Sequence, residues 1–203
     1  MPLTQPWSKQ HKRVTRADAG GMRYNLSNSY AQPLTNQDLI SLTRARGDHS
    51  LIEAYNDHGL GYTPNGGSAD LREEIANMYG SAIHADNVIV FTGAQVALQT
   101  AAMALTSSHT HAITFDPAYQ STQEAPVHAG AQVTTITLRA ANNWQVDPAE
   151  VRAAIRENTR YLVLNEPYNP AGTLMSVETQ SQLIRIADEH GIYILSDEGS
   201  RVH

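Results

Sequence analysis

The sequence has no cysteine and almost no lysine. The absence of cysteine among its 203 residues excludes disulfide bonds, thiolate catalysis and cysteine-ligated metal sites. Of the 14 basic residues only Lys9 and Lys12 are lysines, so residues 13–203 carry their positive charge on arginine or histidine. A mechanism that needs a lysine within residues 13–203 is therefore excluded for this chain.

Long apolar runs and a surplus of positive charge are absent as well. No stretch approaches the ~18 apolar residues of a membrane span, and the basic first residues lack the apolar core of a signal peptide. A net charge of -6 argues against nucleic-acid and anionic-membrane partners. With 41% hydrophobic and 17% charged residues, the composition is that of a globular protein. We expect a soluble, cytoplasmic protein with no nucleic-acid and no membrane partner.

Two regions differ in their composition. Residues 1–64 are polar and broken, which predicts an N-terminal arm with short helices, whereas in residues 65–203 helical stretches alternate with β-branched runs. Asp147 is expected to cap a helix that opens with Pro148, with Glu150 reaching back to the cap. Such alternation predicts an α/β fold, a mostly parallel sheet with helices on both faces. The predicted strands are 88–92, 112–115, 132–138, 161–165 and 192–196, and the main predicted helices are 37–45, 51–57, 69–79, 94–105, 119–129 and 176–191.

Residues with useful chemistry follow the predicted strands, where open α/β sheets bind their ligands. Thr92–Gln95 is a small-residue turn into a helix, which suits a phosphate but is also typical of an ordinary tight turn. Tyr119 could place an aromatic ring beside that turn, although an aromatic residue at a helix start is also typical of simple packing. Asp197 and its neighbour Glu198 could supply a carboxylate to the site, or they could be an ordinary acidic pair on the surface. Together with the elaborate turn at Asn165–Gly172, these features suit a phosphorylated pyridine ring.

The ordered set of motifs resembles that of one family. The most specific element is the full N-x-P-x-N-P-x-G pattern at Asn165–Gly172. The supporting matches are Tyr62-x-Pro64, Gly66-Gly67, Leu71-Arg72, Thr92-Gly93-Ala94, Asp116-Pro117 and Ser196-Asp197-Glu198. Over residues 25–198 the chain is similar to the large domain of the fold-type I, class I/II aminotransferases. The resemblance implies pyridoxal 5′-phosphate (PLP) as cofactor, and an amino acid and a 2-oxo acid as substrates.

The resemblance also implies roles for individual residues. The phosphate would be held by the turn residues Gly93, Ala94 and Gln95. Tyr119 would stack on the pyridine ring, and Asn169 would donate to its phenolic oxygen. Asp197 would pair with the pyridine nitrogen and keep it protonated, which lets the ring accept electrons.

Other implied features concern the assembly and the loops. Tyr62 would reach the phosphate of a neighbouring subunit, which implies a homodimer with shared sites. Ser200, a further candidate cofactor contact, stands where the family usually has a tyrosine that hydrogen-bonds the ring oxygen. The Asp116-Pro117 and Asn169-Pro170 bonds are candidates for cis peptides. The segment 25–33 resembles the family's N-terminal segment that lies over the substrate.

The chain also departs from the family pattern. The Schiff-base lysine normally follows the aspartate by a few tens of residues, with a small domain and a carboxylate-binding arginine beyond, and none of these occurs after Asp197. Two family strands that would neighbour 88–92 are missing too, so the large domain is expected to be incomplete at its C-terminus. We therefore expect a truncated form without a catalytic lysine, in which Gly199–His203 is foreign sequence.

Several alternatives remain open at this point. One is a non-catalytic PLP-binding or partner-binding remnant, and another is a fragment of a PLP-dependent lyase, synthase or oxidase of the same fold. A nucleotide-binding domain is disfavoured, because neither a P-loop nor a G-x-G-x-x-G motif follows a strand. The scattered histidines lack ligand spacing with a supporting acid, so no metal site is expected.

Overall fold

The computed structural model describes residues 33–199 and contains two compact units that meet in sequence between Gly61 and Tyr62. In the first unit, helices α1 (Asn36–Arg46) and α2 (His49–Asn56) confirm the two predicted helices. Neither helix contains a buried residue. The arm residues 25–32, for which a place over the substrate is expected, lie outside the described range.

The second unit carries the predicted alternation of helices and strands. Its helices agree with the predicted ones to within about two residues at most ends. In chain order the elements are α3 (Ala69–Asn77), a short 3-10 turn (Ala85–Asn87), α4 (Ala94–Leu105), β1 (His111–Asp116), α5 (Gln120–His128), β2 (Gln132–Thr137), a second 3-10 turn (Ala140–Asn142), α6 (Pro148–Ala154), β3 (Thr159–Asn165), α7 (Val177–His190) and β4 (Tyr193–Asp197).

The four strands form one parallel sheet in the order β2-β1-β3-β4. Consecutive strands run in the same direction because a helix returns the chain to the starting edge after each one. All carboxyl ends therefore lie at one edge. At that edge Asn165, the last residue of β3, lies opposite Asp197, the last residue of β4.

Both faces of the sheet are covered, as predicted. Along β3 the side chains alternate, with Leu162 packed in one apolar cluster and its neighbours Tyr161 and Val163 in the other. The larger cluster includes Leu183 of α7 and Val151 of α6. The smaller cluster draws Ala102 from α4 and Ala125 from α5. The parallel α/β fold with helices on both faces is thus confirmed.

The predicted strand at 88–92 is wrong. In the described residues this segment pairs with no strand, and one of its backbone bonds is made by the Val90 N–H, which donates to the Gly66 carbonyl over 2.9 Å. A β-branched run becomes a strand only where a neighbour accepts its ladder of hydrogen bonds. Gly67 packs against it so closely that a Cβ there would lie 2.7 Å from Val90 Cβ.

The predicted cap of α6 is half right. Asp147 caps the helix, since its Oδ1 accepts from the Ala149 N–H over 2.8 Å, and Pro148 is the first helical residue. Glu150 does not reach back to the cap. Its carboxylate instead lies 3.4 Å from Arg139 Nη1, because an arginine across the loop offers the stronger electrostatic partner.

Within residues 33–199, no helix is both long and apolar enough to cross a membrane.

Candidate functional site

The turn before α4 leaves two backbone donors free. Gly93 precedes the helix with φ 112° and ψ 148°, and no side chain caps the helix at this position. The Gly93 carbonyl accepts from the N–H groups of Val96 and Ala97, whereas those of Ala94 and Gln95 have no acceptor among the described residues. Free amides at the positive end of a helix dipole favour an anion. This geometry suits a phosphate.

Tyr119 lies close to that turn, although it is 24 residues away in sequence from Gln95. The Gln95 side chain donates from Nε2 to the Tyr119 hydroxyl over 3.0 Å. Tyr119 immediately precedes α5, and its side chain is 38% exposed, which leaves ring surface available for stacking. The fold thus brings two of the predicted site residues together. The sequence predicts no contact between the Gln95 side chain and Tyr119, because the two residues are 24 positions apart.

Asn169 and Asp197 are joined through the side chain of Asn165. The Asn165 carboxamide donates from Nδ2 to the Asp197 carbonyl over 2.7 Å, and its Oδ1 accepts from the Asn169 N–H over 2.7 Å. The Asp197 carbonyl also accepts from the Glu166 N–H over 2.9 Å. The Asn165–Gly172 motif predicted the loop, but the bridging role of its first residue depends on a strand 32 residues further along.

A buried tyrosine ties the loop after β3 to the loop after β1. Tyr168 is only 7% exposed, and its hydroxyl donates to the Pro117 carbonyl. Burial, together with the negative charge of Asp116, raises the pKa of Tyr168 to about 12, so the hydroxyl stays a donor at neutral pH. Gln123 of α5 holds the end of β1 through Nε2, which donates to the Phe115 carbonyl over 2.7 Å. The carboxyl edge is therefore braced from two sides.

Three proline bonds in these loops are cis. The Asp116-Pro117 and Asn169-Pro170 bonds confirm the prediction, and the Glu166-Pro167 bond is a third that was not predicted.

Glu166 is an acid held in a half-buried position beside these loops. Its Oε1 accepts from the Met175 N–H over 3.0 Å. Burial raises the pKa of this carboxyl; the hydrogen bond from Met175 opposes that shift, and the negative charge of Glu198 adds to it. The side chain thus links the loop after β3 to the segment that leads into α7.

The remaining candidates are not part of this cluster. Tyr62 is fully exposed, on a loop at the start of the second unit. Ser200, Lys9 and Lys12 lie outside the described residues. Within residues 33–199, no group of three histidine or acidic side chains is placed to hold a metal ion.

Comparisons with known proteins are consistent with this geometry. The model of the family described as aminotransferase class I and II matches residues 27–199. An aspartate aminotransferase of Pyrococcus horikoshii is 38% identical over 141 residues, which are 68% of this chain and 36% of the relative. An arginine–pyruvate transaminase of Pseudomonas aeruginosa is 32% identical over 136 residues, 65% of this chain and 35% of that enzyme.

Solved structures agree in fold. The crystal structure of an aspartate aminotransferase from Thermotoga maritima superimposes with a TM-score of 0.80 at 26% identity, covering 97% of this chain and 52% of that one. The chain thus spans about a third to a half of the length of the relatives it matches.

Proposed function

Since the chain belongs to the class I and II aminotransferase family, we propose that it binds PLP and serves amino-group transfer from an amino acid to a 2-oxo acid. Members of this family are PLP-dependent enzymes. The observation that carries the proposal is the bridge made by Asn165, which joins Asn169 in the loop after β3 to Asp197 at the end of β4, at the carboxyl edge of the sheet. Both residues are candidates for contacting the same pyridine ring.

The donors and acceptors at this edge fit the chemical groups of PLP. The free amides of Ala94 and Gln95 suit the phosphate, and the ring of the partly exposed Tyr119 suits stacking. The side-chain amide of Asn169 would donate to the phenolic oxygen. The carboxylate of Asp197 would hold a proton on the pyridine nitrogen. When bound, the protonated ring withdraws electrons from the substrate carbon.

The lysine count limits what these residues do by themselves. The only lysines are Lys9 and Lys12, so residues 13–203 would hold PLP without a covalent bond to a lysine. We propose that the 203-residue chain alone is inactive in amino-group transfer, because residues 13–203 offer no lysine amine to the cofactor. A lyase, synthase or oxidase is the weaker alternative, since the relatives named above are all aminotransferases or transaminases.

The substrate is proposed only as a class. One relative is named for aspartate and another for arginine and pyruvate, and both match this chain at above 30% identity. The substrate class that such enzymes share is an amino acid together with a 2-oxo acid.

Assembly, domain limits and location are proposals of the same kind. The fully exposed Tyr62 ring is free to contact a second copy, which supports a homodimer with shared phosphate sites. We place the arm in residues 1–64 and the cofactor domain in residues 65–203, close to the boundary between the two compact units. The absence of cysteine fits a reducing compartment and supports a cytoplasmic location.

A PLP titration of the 203-residue chain, followed by absorbance and fluorescence, tests the proposal. We expect saturable binding that is lost on dialysis. Asp197→Asn should raise the dissociation constant about tenfold or more, because a charge-assisted hydrogen bond is worth about 1.5–3 kcal/mol. The matched control is Asp188→Asn, which alters an exposed acid on α7 and should leave binding unchanged.

Borohydride reduction and peptide mapping complete the test. Reduction should attach PLP to no residue within 13–203, and any adduct should map to Lys9, Lys12 or the N-terminal amine. Equal binding by wild type and Asp197→Asn would contradict the proposed role of Asp197. Failure of the wild type to bind PLP would contradict the proposed function.

A further inference from the structure

We propose that Asn165 is a positioning residue, whose carboxamide sets the backbone of Asn169 with one end and that of Asp197 with the other, so that both meet the same ligand. The proposal rests on the proposed function in so far as that ligand is PLP. Asn165 is half-buried at the end of β3, and its two hydrogen bonds, each 2.7 Å long, run to the loop after β3 and to the end of β4.

The chemistry of the bridge calls for a carboxamide. The Asp197 group at one end is a carbonyl that accepts, and the Asn169 group at the other end is an N–H that donates, which fixes the orientation of the Asn165 amide. The carboxamide of asparagine or glutamine offers a donor and an acceptor on one planar group, whereas an ionised carboxylate offers only acceptors. Aspartate has the same shape as asparagine but only accepts when ionised, so it would keep the Asn169 end and lose the Asp197 end.

Each end of the bridge adds a restraint to the backbone of a candidate cofactor-binding residue. The Asn169 N–H is exposed to solvent and has no other acceptor among the described residues. Asp197 ends the edge strand β4, and its carboxylate is oriented by the Gly199 N–H over 3.0 Å. Since the Asp197 carboxylate follows its own backbone, the bond from Asn165 to the Asp197 carbonyl, together with the bond from the Glu166 N–H, helps to set where that carboxylate lies.

The neighbouring contacts do not replace this bridge. Tyr168 anchors the middle of the loop through its hydroxyl and through bonds with Gly172 and Thr173, but none of these reaches Asp197. The Glu166 N–H binds the Asp197 carbonyl as part of the sheet ladder and does not touch Asn169. In the described chain, Asn165 is the side chain that contacts both.

Residue-resolved amide hydrogen exchange tests the bridge without any cofactor. Asn165→Ala should speed exchange at the Asn169 N–H about tenfold, as expected for the loss of one hydrogen bond, and exchange in the centre of β3 should be unchanged. Asn165→Asp should leave the Asn169 N–H protected, since its carboxylate still accepts. This split between the two variants would not arise from a general loss of stability.

The second measurement is PLP affinity by titration. Both Asn165→Ala and Asn165→Asp should raise the dissociation constant about tenfold, because both lose the bond to the Asp197 carbonyl. The matched control is Asn158→Ala, which removes a bond of the same type, from the half-buried Asn158 Nδ2 to the His109 carbonyl over 3.0 Å, before β3 and β1 begin. We expect it to change neither measurement.

The outcomes separate the two proposals. If Asn165→Ala leaves both the Asn169 exchange rate and the PLP affinity unchanged, or if Asn158→Ala has the same effects, the positioning role is overturned. If the wild type binds no PLP, the proposed function fails, and the exchange rate at Asn169 alone decides whether the bridge holds the loop. If Asn165→Ala does not fold, the isosteric Asn165→Asp takes its place. A raised dissociation constant for PLP with a protected Asn169 N–H would support the positioning role, and an unchanged dissociation constant would overturn it.

Discussion

Acidification from pH 7.5 to 5.5 is expected to destabilise the folded chain through His111. This histidine opens β1 and is 0% exposed. Its Nδ1 lies 2.8 Å from the Thr159 hydroxyl and its Nε2 2.8 Å from the Thr134 hydroxyl. Both hydroxyls also accept from Arg156, through its backbone N–H and its Nη2. A proton added to the ring would be buried next to a guanidinium.

The sign and size of the effect follow from proton linkage. Burial, and secondarily the charge of Arg156, lowers the pKa of His111 below its ordinary value of 6.5. In the unfolded chain the ring regains that ordinary value, so the unfolded state binds more protons as the pH falls through about 6.5. Stability is therefore full above this pH and is lost below it. The free energy of unfolding therefore falls between pH 7.5 and 5.5, by at most about 1.4 kcal/mol, which is the limit for a folded ring that stays neutral.

Urea unfolding of the wild type, His111→Gln and His128→Gln at both pH values measures this contribution. His111→Gln should be less stable at both pH values, because it disturbs a buried network, but its loss of stability on acidification should be smaller than that of the wild type, by up to about 1.4 kcal/mol. His128→Gln, which replaces an exposed histidine on α5, should keep the wild-type pH dependence. The reasoning is refuted if His111→Gln loses as much stability on acidification as the wild type.

Two further predictions concern packing and are measured by the same unfolding assay at neutral pH. Leu183→Ala should lower the free energy of unfolding by about 2–5 kcal/mol, because Leu183 is 0% exposed. Ile184→Ala, at a position that is 60% exposed, should lower it by well under 1 kcal/mol. Equal losses would contradict the assigned core. Gly67→Ala should lower the free energy of unfolding by about 1–3 kcal/mol more than Gly66→Ala. Both glycines have positive φ, but only at Gly67 would the new Cβ overlap Val90, at a distance of 2.7 Å. Equal losses for the two variants would exclude that overlap.

Much of the second unit could be predicted because its signals are local. Helix α4 was predicted at its observed limits, Ala94–Leu105, from a glycine before it and a run of good helix formers. The strands β1, β2, β3 and β4 follow from short β-branched runs between helices. The loop residues that follow the strands were identified as site candidates because parallel strands present their carboxyl ends at one edge.

The errors and omissions share a different cause. Whether the segment 88–92 becomes a strand depends on a neighbour along its whole length, and propensity carries no information about that neighbour. Glu150 was expected to bind its own helix cap, but Arg139 lies within reach across the loop. In both cases the local structure depends on whether a partner from another part of the chain is present, which the local sequence pattern does not show.

The sequence by itself determined the parallel α/β class, the positions of most helices and strands, the family resemblance and the confinement of lysine to Lys9 and Lys12. These depend on residue type, local spacing and order along the chain. Only the tertiary structure decided that Gln95 holds the Tyr119 hydroxyl and that Asn165 joins Asn169 to Asp197. Such contacts are absent from the local pattern because they form only after strands and helices 24 to 32 residues apart have packed side by side.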